Sequence, residues 1–342
     1  MNDYSVFVNR GFTTVDEYDN ISRYEENIAS DAYREYRRKW AENPKKLILE
    51  EGPLHIDIDP TNFCNLKCKM CPRVVTKTHE NEKLSYMDFD LFKDIVNQAK
   101  ALGVPSVKFG ILTEPLVHPQ FVEMIQYVKK TGFEDIGVVT NATLLNEDLA
   151  KGLIEAGLVK INVSFDSPVK ETYESIRIGA SFEKTIANMK RLIEIRNNMN
   201  SPTPLLRVTM VKMKENKPER QLFYDLFKPF ADRIAFLDYE EYDDALADST
   251  VLDYEEFDNY ACSELWLRLT IDSKGMVYPC CSGTIYRDFA WDFKRFGMKA
   301  IWQDKVEVLR DAFSNNTWKQ IPMCKKCLSR IKSLSTLDDG KV

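Results

Sequence analysis

His55-Ile-Asp-Ile-Asp59-Pro-Thr-Asn-Phe63-Cys64-Asn-Leu-Lys-Cys68-Lys-Met-Cys71 is the stretch on which the reading of this chain turns. Its first five residues alternate polar and apolar side chains, the period of a β-strand, and Pro60 to Phe63 turn the chain out of it. Three cysteines follow at a C-x3-C-x2-C spacing. Three thiolates on one short loop suit three irons of a [4Fe-4S] cube, because soft sulfur ligands select iron–sulfur chemistry. No fourth cysteine follows inside the loop. The fourth iron is thereby left to a ligand from outside the protein, as in reactive metal centres and unlike closed structural sites. A partial zinc site, or three buried thiols without metal, is the competing reading of the same spacing.

The rest of the chain gives this loop a setting. With 342 residues it can hold one barrel-sized domain and a small appendage, or two modest domains. Hydrophobic residues make up 44% and charged ones 29%, a balance that predicts a folded chain rather than disorder. The net charge of -6 gives no dominant basic surface, which argues against nucleic acid as the main partner. No apolar run approaches the roughly eighteen residues of a membrane span, and the opening MNDYSVFVNRGFTT lacks the basic start and apolar centre of a signal peptide. Eight cysteines with C-x-x-C spacings favour metal over disulfides and predict a reducing, cytoplasmic setting without oxygen.

Residues 1–50 read as an N-terminal helical extension: Tyr33, Tyr36 and Trp40 recur at helical spacing within a helix expected over 27–41, suited to covering one end of the core. From 54 to 238 apolar strands alternate with amphipathic helices. Strands are expected near 54–59, 106–112, 135–140, 159–165, 205–213 and 233–238, and helices near 88–102, 119–131, 147–157, 181–199 and 218–230. Gly103, Gly132 and Gly157 sit where helix-terminating glycines belong. Such alternation means parallel strands with helices outside. The acidic, aperiodic stretch YEEYDDALADSTVLDYEEFDNYA reads as a linker. The expected domains are 1–50 (extension), 51–240 (barrel), 241–261 (linker) and 262–342 (C-terminal module).

A strand followed by CNLKCKMCPR resembles the radical S-adenosylmethionine (radical SAM) superfamily. The resemblance implies an α/β fold, an incomplete (β/α)6 TIM-like barrel, whose open iron chelates SAM and whose cluster electron cleaves SAM to methionine and a 5'-deoxyadenosyl radical. Reactive residues in such barrels lie at the C-terminal ends of strands, where the cysteine loop falls. Met70, before the third cysteine, takes the place of a frequent aromatic near the adenine. Leu112-Thr113-Glu114-Pro115 resembles the GGEP-type motif, with Leu112 and Thr113 in place of glycines, and implies that Glu114 holds the amino group of SAM. Thr140-Asn141-Ala142 is similar to the TNG turn, and Ser164-Phe165-Asp166 closes the fourth strand where a serine near the ribose or carboxylate of SAM is usual; both are equally read as ordinary strand-end turns. Tyr173 to Lys190 is similar to the stretch YExIRxGxSFExxxxNI and makes Arg177 a candidate partner for a carboxylate of SAM or substrate, or else a structural ion pair. Val208 to Val211 would line the adenine. His55, His79 and His118 show no ligand spacing, so packing or hydrogen bonding is expected of them.

The second constellation is C-terminal: Cys262, twelve residues, Gly275, four residues, Cys280, and later Cys324-x-x-Cys327. It resembles the SPASM/twitch extensions of radical SAM enzymes, where a β-hairpin and a short helix present four thiolates to an auxiliary [4Fe-4S] cluster. Residues 269–278 read as that hairpin, with Gly275 in the turn. No cysteine follows Cys327, so a module with one auxiliary cluster, of the smaller twitch type, is expected. A zinc ribbon is the competing reading. Cys281 is left over: a plain buried thiol, a swapped ligand or a hydrogen-atom donor to a substrate radical.

The layout is similar to that of 2-deoxy-scyllo-inosamine dehydrogenases. It implies a radical oxidoreductase acting on a small-molecule substrate, a sugar or aminocyclitol alcohol, with a flavodoxin- or ferredoxin-type electron donor and the auxiliary cluster taking an electron. Arg177 or Tyr173 could stand near the substrate; the catalytic base is unassigned. A redox-neutral sugar epimerase using Cys281, a peptide-modifying maturase and a non-enzymatic metal scaffold are the alternatives.

Overall fold

The computed structural model describes residues 5–7, 15–19, 29–77, 80–238 and 260–327. Six parallel strands stand side by side in chain order: β3 (His55–Ile58), β4 (Ser106–Phe109), β5 (Asp135–Thr140), β6 (Lys160–Ser164), β7 (Leu205–Lys212) and β8 (Arg233–Asp238). These are the six strands expected. Helices cover the outer face: α3 (Phe89–Ala101), α4 (Phe121–Thr131), α5 (Glu147–Glu155), α7 (Phe182–Asn198) and α8 (Arg220–Phe227). The three helix-end glycines, Gly103, Gly132 and Gly157, all take positive φ. The result is a mixed α/β fold around an open parallel sheet, a partial TIM-like barrel.

Strand alternation sorts the side chains. Ile56, Ile58, Val107, Phe109, Ile136, Val138, Ile161, Val163, Val208 and Met210 are buried in the main core between sheet and helices. The alternate set, including His55, Asp57, Lys108, Gly137, Asn162, Arg207 and Thr209, therefore faces the concave interior. Lys108, Asn162, Ser164, Arg207 and Val211 are only half-buried there, so this face is open to solvent.

Several elements lie beyond the sequence reading. Two strands, β1 (Ser5–Phe7) and β2 (Val15–Asp19), precede the first helix, and β2 adds antiparallel to β8 at the sheet edge. The extension is thus not purely helical, because strand residues in this polar segment carry no clear period. Its helix α1 runs Asp31–Lys46, later than expected, capped by the Ser30 hydroxyl accepting from the Tyr33 N–H. It closes the floor of the barrel: Tyr33 and Tyr36 are buried with Leu54 and Leu267, and Lys160 Nζ donates to the Tyr33 hydroxyl (2.8 Å). After the short α2 (Pro72–Val75), a further unexpected helix, α6 (Lys170–Ile176), is held by Tyr173 stacking on Phe165 with centroids 4.3 Å apart.

The C-terminal hairpin forms as expected from β10 (Arg268–Ile271) and β11 (Met276–Tyr278), with Gly275 at φ +82° in the turn. It is not a separate layer, however. β10 pairs in parallel with β3 in the register Arg268↔His55 to Ile271↔Ile58, so the hairpin and β12 (Trp291–Asp292) extend the barrel sheet to ten strands. β9 (Tyr260–Cys262) pairs with β1, and the chain ends its described course through α9 (Glu264–Leu267), α10 (Cys281–Tyr286), α11 (Phe293–Ala300), α12 (Glu307–Ser314) and a helical turn at 322–327. Apart from its last strand residues, the expected linker lies outside the described residues, as does His79. No helix among the described residues is long and apolar enough to cross a membrane.

Gly110 marks the exit of β4 at φ +89°, and a Cβ there would stand 2.6 Å from the Val139 carbonyl oxygen. Backbone cannot yield as a flexible side chain would. Gly110→Ala is expected to cost about 1–3 kcal/mol through strain alone, readable as a lowered denaturation midpoint.

Candidate active site

The C-terminal ends of β3 to β7 form one rim, and the cysteine loop lies across it. Cys64 and Cys71 are half-buried and Cys68 buried, all as free thiols. The loop is tied down by backbone: the Lys67 N–H donates to the Ile178 carbonyl (3.0 Å) and the Lys69 N–H to the Ile176 carbonyl (3.1 Å) at the end of α6. Asn65 is clasped from the β5 exit, donating to Thr143 Oγ1 (2.8 Å) and accepting from Asn141 Nδ2 (2.9 Å). Asn141 Nδ2 also reaches Cys64 Sγ at 4.0 Å, and Arg177 Nη1 reaches Cys68 Sγ at 3.8 Å.

Burial pushes the Cys64 thiol up to about 12 and raises Cys68 and Cys71 too. Against that, backbone N–H groups point at sulfur, from Leu66 to Cys64 and from Arg73 and Val74 to Cys71. Desolvated thiols with N–H donors aimed at them await a cation, and a cluster supplies it. Three soft donors on one loop thus fit a [4Fe-4S] cube with an open corner.

Glu114 is the second fixed point. It is only 2% exposed. Thr140 Oγ1 donates to its Oε1 (2.6 Å), the Asn141 N–H to its Oε2 (2.8 Å) and the Leu116 N–H to its Oε1 (3.2 Å). Its own N–H donates to the Phe63 carbonyl, one residue before Cys64 (3.0 Å). Burial pushes its carboxyl up to about 7, opposed by those donors and by the Arg177 charge. The structure therefore brings Glu114, Asn141 and the cysteine loop together.

The other sequence candidates are placed less uniformly. Met70 is half-buried on the loop, and Ser164 stands on the rim beside Thr209. Arg177 is buried under the cluster loop, and the carboxylate it meets here is the protein's own: its Nη2 lies 2.6 Å from Asp166 Oδ2. Asp166 in turn accepts from the Val211 N–H (2.8 Å). Val208 faces the helices rather than the interior, so of the 208–211 stretch Thr209 and Val211 line the concave face. His55 and His118 are hydrogen-bonded, His55 between Ser106 Oγ (2.7 Å) and Asp57 Oδ1 (3.1 Å), and His118 to the Met87 carbonyl and the Gln120 N–H.

At the opposite end of the sheet the remaining cysteines gather. Cys262 ends β9, Cys280 precedes α10, and Cys324 and Cys327 lie on the last helical turn. Burial holds Cys262 and Cys280 well above the ordinary thiol range, and each also feels the charges of Cys324 and Cys327. Among the described residues no three Cys, His, Asp or Glu side chains converge on a single metal ion; a cube takes one thiolate at each corner and spreads its ligands wider. Four cysteines so grouped fit a closed auxiliary cube.

Cys281 follows at the start of α10, near Arg268, whose positive charge it helps hold. That places it at the floor level of β10, about 13 Å below the rim at four residues of about 3.3 Å each. The structure does not bring Cys281 to the cluster loop.

An ionic chain rises from the floor into that interval. Glu264 Oε2 meets Arg268 Nε (2.7 Å), Arg268 Nη1 meets Asp57 Oδ2 (3.2 Å), and Asp57 Oδ1 meets Lys108 Nζ (2.8 Å). Burial alone would raise Asp57, but Lys108, His55 and Arg268 hold it well below the usual carboxylate range. Sequence reasoning missed Asp57, Asp59, Asn65, Lys108 and Arg268. Only the even spacing of His55, Asp57 and Asp59 in a strand signalled that polar side chains line the interior.

Comparison with known proteins agrees with this geometry. A family model described as the radical SAM superfamily matches residues 58–220, and one described as an iron–sulfur cluster-binding domain, SPASM, matches residues 262–328. The tungsten-containing aldehyde ferredoxin oxidoreductase cofactor-modifying protein of Pyrococcus furiosus is 35% identical over 167 residues, which is 47% of this chain and 44% of that protein. The chain spans about half the length of the curated relatives it matches. Among solved structures, Streptococcus suis SuiB bound to precursor peptide SuiA aligns with a TM-score of 0.62 at 18% identity, over 85% of this chain and 77% of that one. BtrN in complex with AdoMet and 2-DOIA aligns with a TM-score of 0.51 at 17% identity, over 81% of this chain and 93% of that one. At these identities the likeness is one of fold.

Proposed function

This chain belongs to the radical SAM superfamily and carries a SPASM module, and from that premise we propose that it oxidises a hydroxylated small molecule, a sugar or an aminocyclitol, by two electrons at a carbinol carbon. When bound, SAM on its cluster supplies a carbon radical that removes a hydrogen atom, and the auxiliary cluster supplies a one-electron acceptor. The hydroxyl proton leaves to a base, so a hydrogen atom, a proton and an electron account for the ketone. In this reading Cys64, Cys68 and Cys71 hold the SAM cluster, Glu114 and Asn141 orient SAM, and Cys262, Cys280, Cys324 and Cys327 hold the auxiliary cluster. Residues 51–240 are then the SAM-binding barrel, 262–342 the auxiliary module, 241–261 their connection, and 1–50 the floor.

The observation that carries the proposal is the grouping of four C-terminal cysteines beside β10, which is hydrogen-bonded directly to β3, the strand that feeds the cluster loop. A fully ligated cube has no open corner for substrate and suits electron transfer. Cys280 follows directly on the hairpin of the barrel sheet, so the grouping is anchored to the strand beside the one that feeds the SAM site. The concave face adds support: Lys108, Asn162, Ser164 and Thr209 offer hydrogen bonds to a polyol. A flavodoxin- or ferredoxin-type protein would deliver the first electron.

The test is anaerobic turnover of a panel of sugars and aminocyclitols in deuterated water with a strong reductant. A product two mass units lighter, without solvent deuterium on carbon, is expected. A product one mass unit heavier, carrying one solvent deuterium on carbon, would replace the proposal with epimerisation.

A further inference from the structure

Leu112 and Thr113 stand where the proteins this chain resembles carry glycines, and a loop with two side chains there needs another way to hold its course. Asp59, the residue after β3, provides one. It is 5% exposed. Its Oδ1 accepts from the Ile111 N–H (2.8 Å) and from Thr113 Oγ1 (2.7 Å), and its Oδ2 from the Leu112 N–H (3.1 Å). Three consecutive residues are thus pinned to one carboxylate, immediately before Glu114. Two of the three bonds are made to backbone, and the Leu112 N–H would otherwise be a buried donor without an acceptor. The third uses the hydroxyl of the very residue that departs from the glycine pattern.

We propose that Asp59 and Thr113 form a clamp that sets the position of Glu114 toward the amino group of SAM, making Asp59 a positioning residue for cofactor binding. The proposal rests on the reading of Glu114 as a SAM ligand. Its logic is that of preorganisation: Glu114 is fixed from behind by Thr140 and Asn141 and from in front by the Phe63 carbonyl, but the backbone leading into it is held by Asp59. A loosened approach would move the carboxylate without removing it. Affinity for SAM should then fall while the cluster and the fold stay in place.

Asp59→Asn, Thr113→Val, Thr113→Ser and Glu114→Gln in the cluster-loaded protein form the test. SAM dissociation constants come from anaerobic equilibrium dialysis, KM and kcat from SAM cleavage, and amide hydrogen exchange is followed across 110–116. Asp59→Asn is expected to weaken SAM about tenfold, as loss of one or two hydrogen bonds would, to raise KM more than it lowers kcat, and to speed exchange at 111–113. Thr113→Val should do the same to a lesser degree, with Thr113→Ser restoring the wild-type values. Thr113→Val also carries the test if Asp59→Asn does not fold. Faster exchange with unchanged SAM affinity, where Glu114→Gln does weaken SAM, would overturn the clamp alone. Unchanged affinity in Glu114→Gln itself would instead remove the reading on which the clamp rests.

Discussion

Replacing Cys64, Cys68 and Cys71 together by alanine is expected to lower iron from about eight to about four atoms per chain, on one cube per cysteine set, and to abolish SAM cleavage. The three thiols sit on a loop whose anchors do not depend on them: Lys67 and Lys69 bond to the end of α6, and Asn65 to Thr143 and Asn141. The variant should therefore keep its fold and its C-terminal cluster, whose cysteines lie at the other end of the sheet. Iron and sulfide analysis after anaerobic reconstitution checks this, with zinc measured alongside. A variant that retained one zinc and no iron would make the C-terminal module structural, and the oxidation proposal would lose its electron acceptor.

Glu114→Gln is expected to weaken SAM by about 1.5–3 kcal/mol, the range for a hydrogen bond to a charged group, and to remove most of the pH dependence of binding. Burial places the Glu114 carboxyl near 7, above its ordinary 4.5. The N–H donors of the SAM amino group favour the ionised form, so binding below about pH 7 must expel a proton. Affinity in the wild type should rise with pH from about 6 to about 8, approaching tenfold per unit at the acid end. Dialysis at several pH values distinguishes the flat profile of the Gln variant from the sloped one of the parent. The same shift acts on stability with the opposite slope. Because the folded carboxyl holds a proton that the unfolded one releases, this group's stabilisation is complete below about 4.5 and is lost as pH rises through about 7. SAM-free protein should thus show a lower denaturation midpoint at pH 7.5 than at 5.5 from this source, a difference the Gln variant lacks.

Much of this architecture was legible without coordinates because its signals are local. Strand alternation from His55, helix-ending glycines at 103, 132 and 157, and cysteine spacings each depend on neighbours within a few residues. α6 escaped notice because seven residues are too few to establish a period, and it is held by the Phe165–Tyr173 stack instead. Arg177 shows a different limit. Its charge and setting were plain, yet whether it meets a cofactor carboxylate or Asp166 depends on how the β6 exit folds back under the loop.

By itself, then, the sequence determined which ligands this protein offers: two sets of soft thiols, one short of a fourth, on a scaffold of parallel strands. Those properties follow from residue type and spacing, and no packing arrangement alters them. Tertiary structure alone decided where the pieces meet. The hairpin of β10 and β11 was readable as a hairpin, but a strand's period does not name its partner, and only the fold sets Arg268 beside His55 and lays the hairpin that leads to Cys280 against the strand that feeds the cluster loop. Likewise Asp59 and Thr113 are 54 residues apart and bond at 2.7 Å. Such pairings are selected by global burial and register rather than by any local pattern, because the free energy that holds them resides in contacts between distant segments.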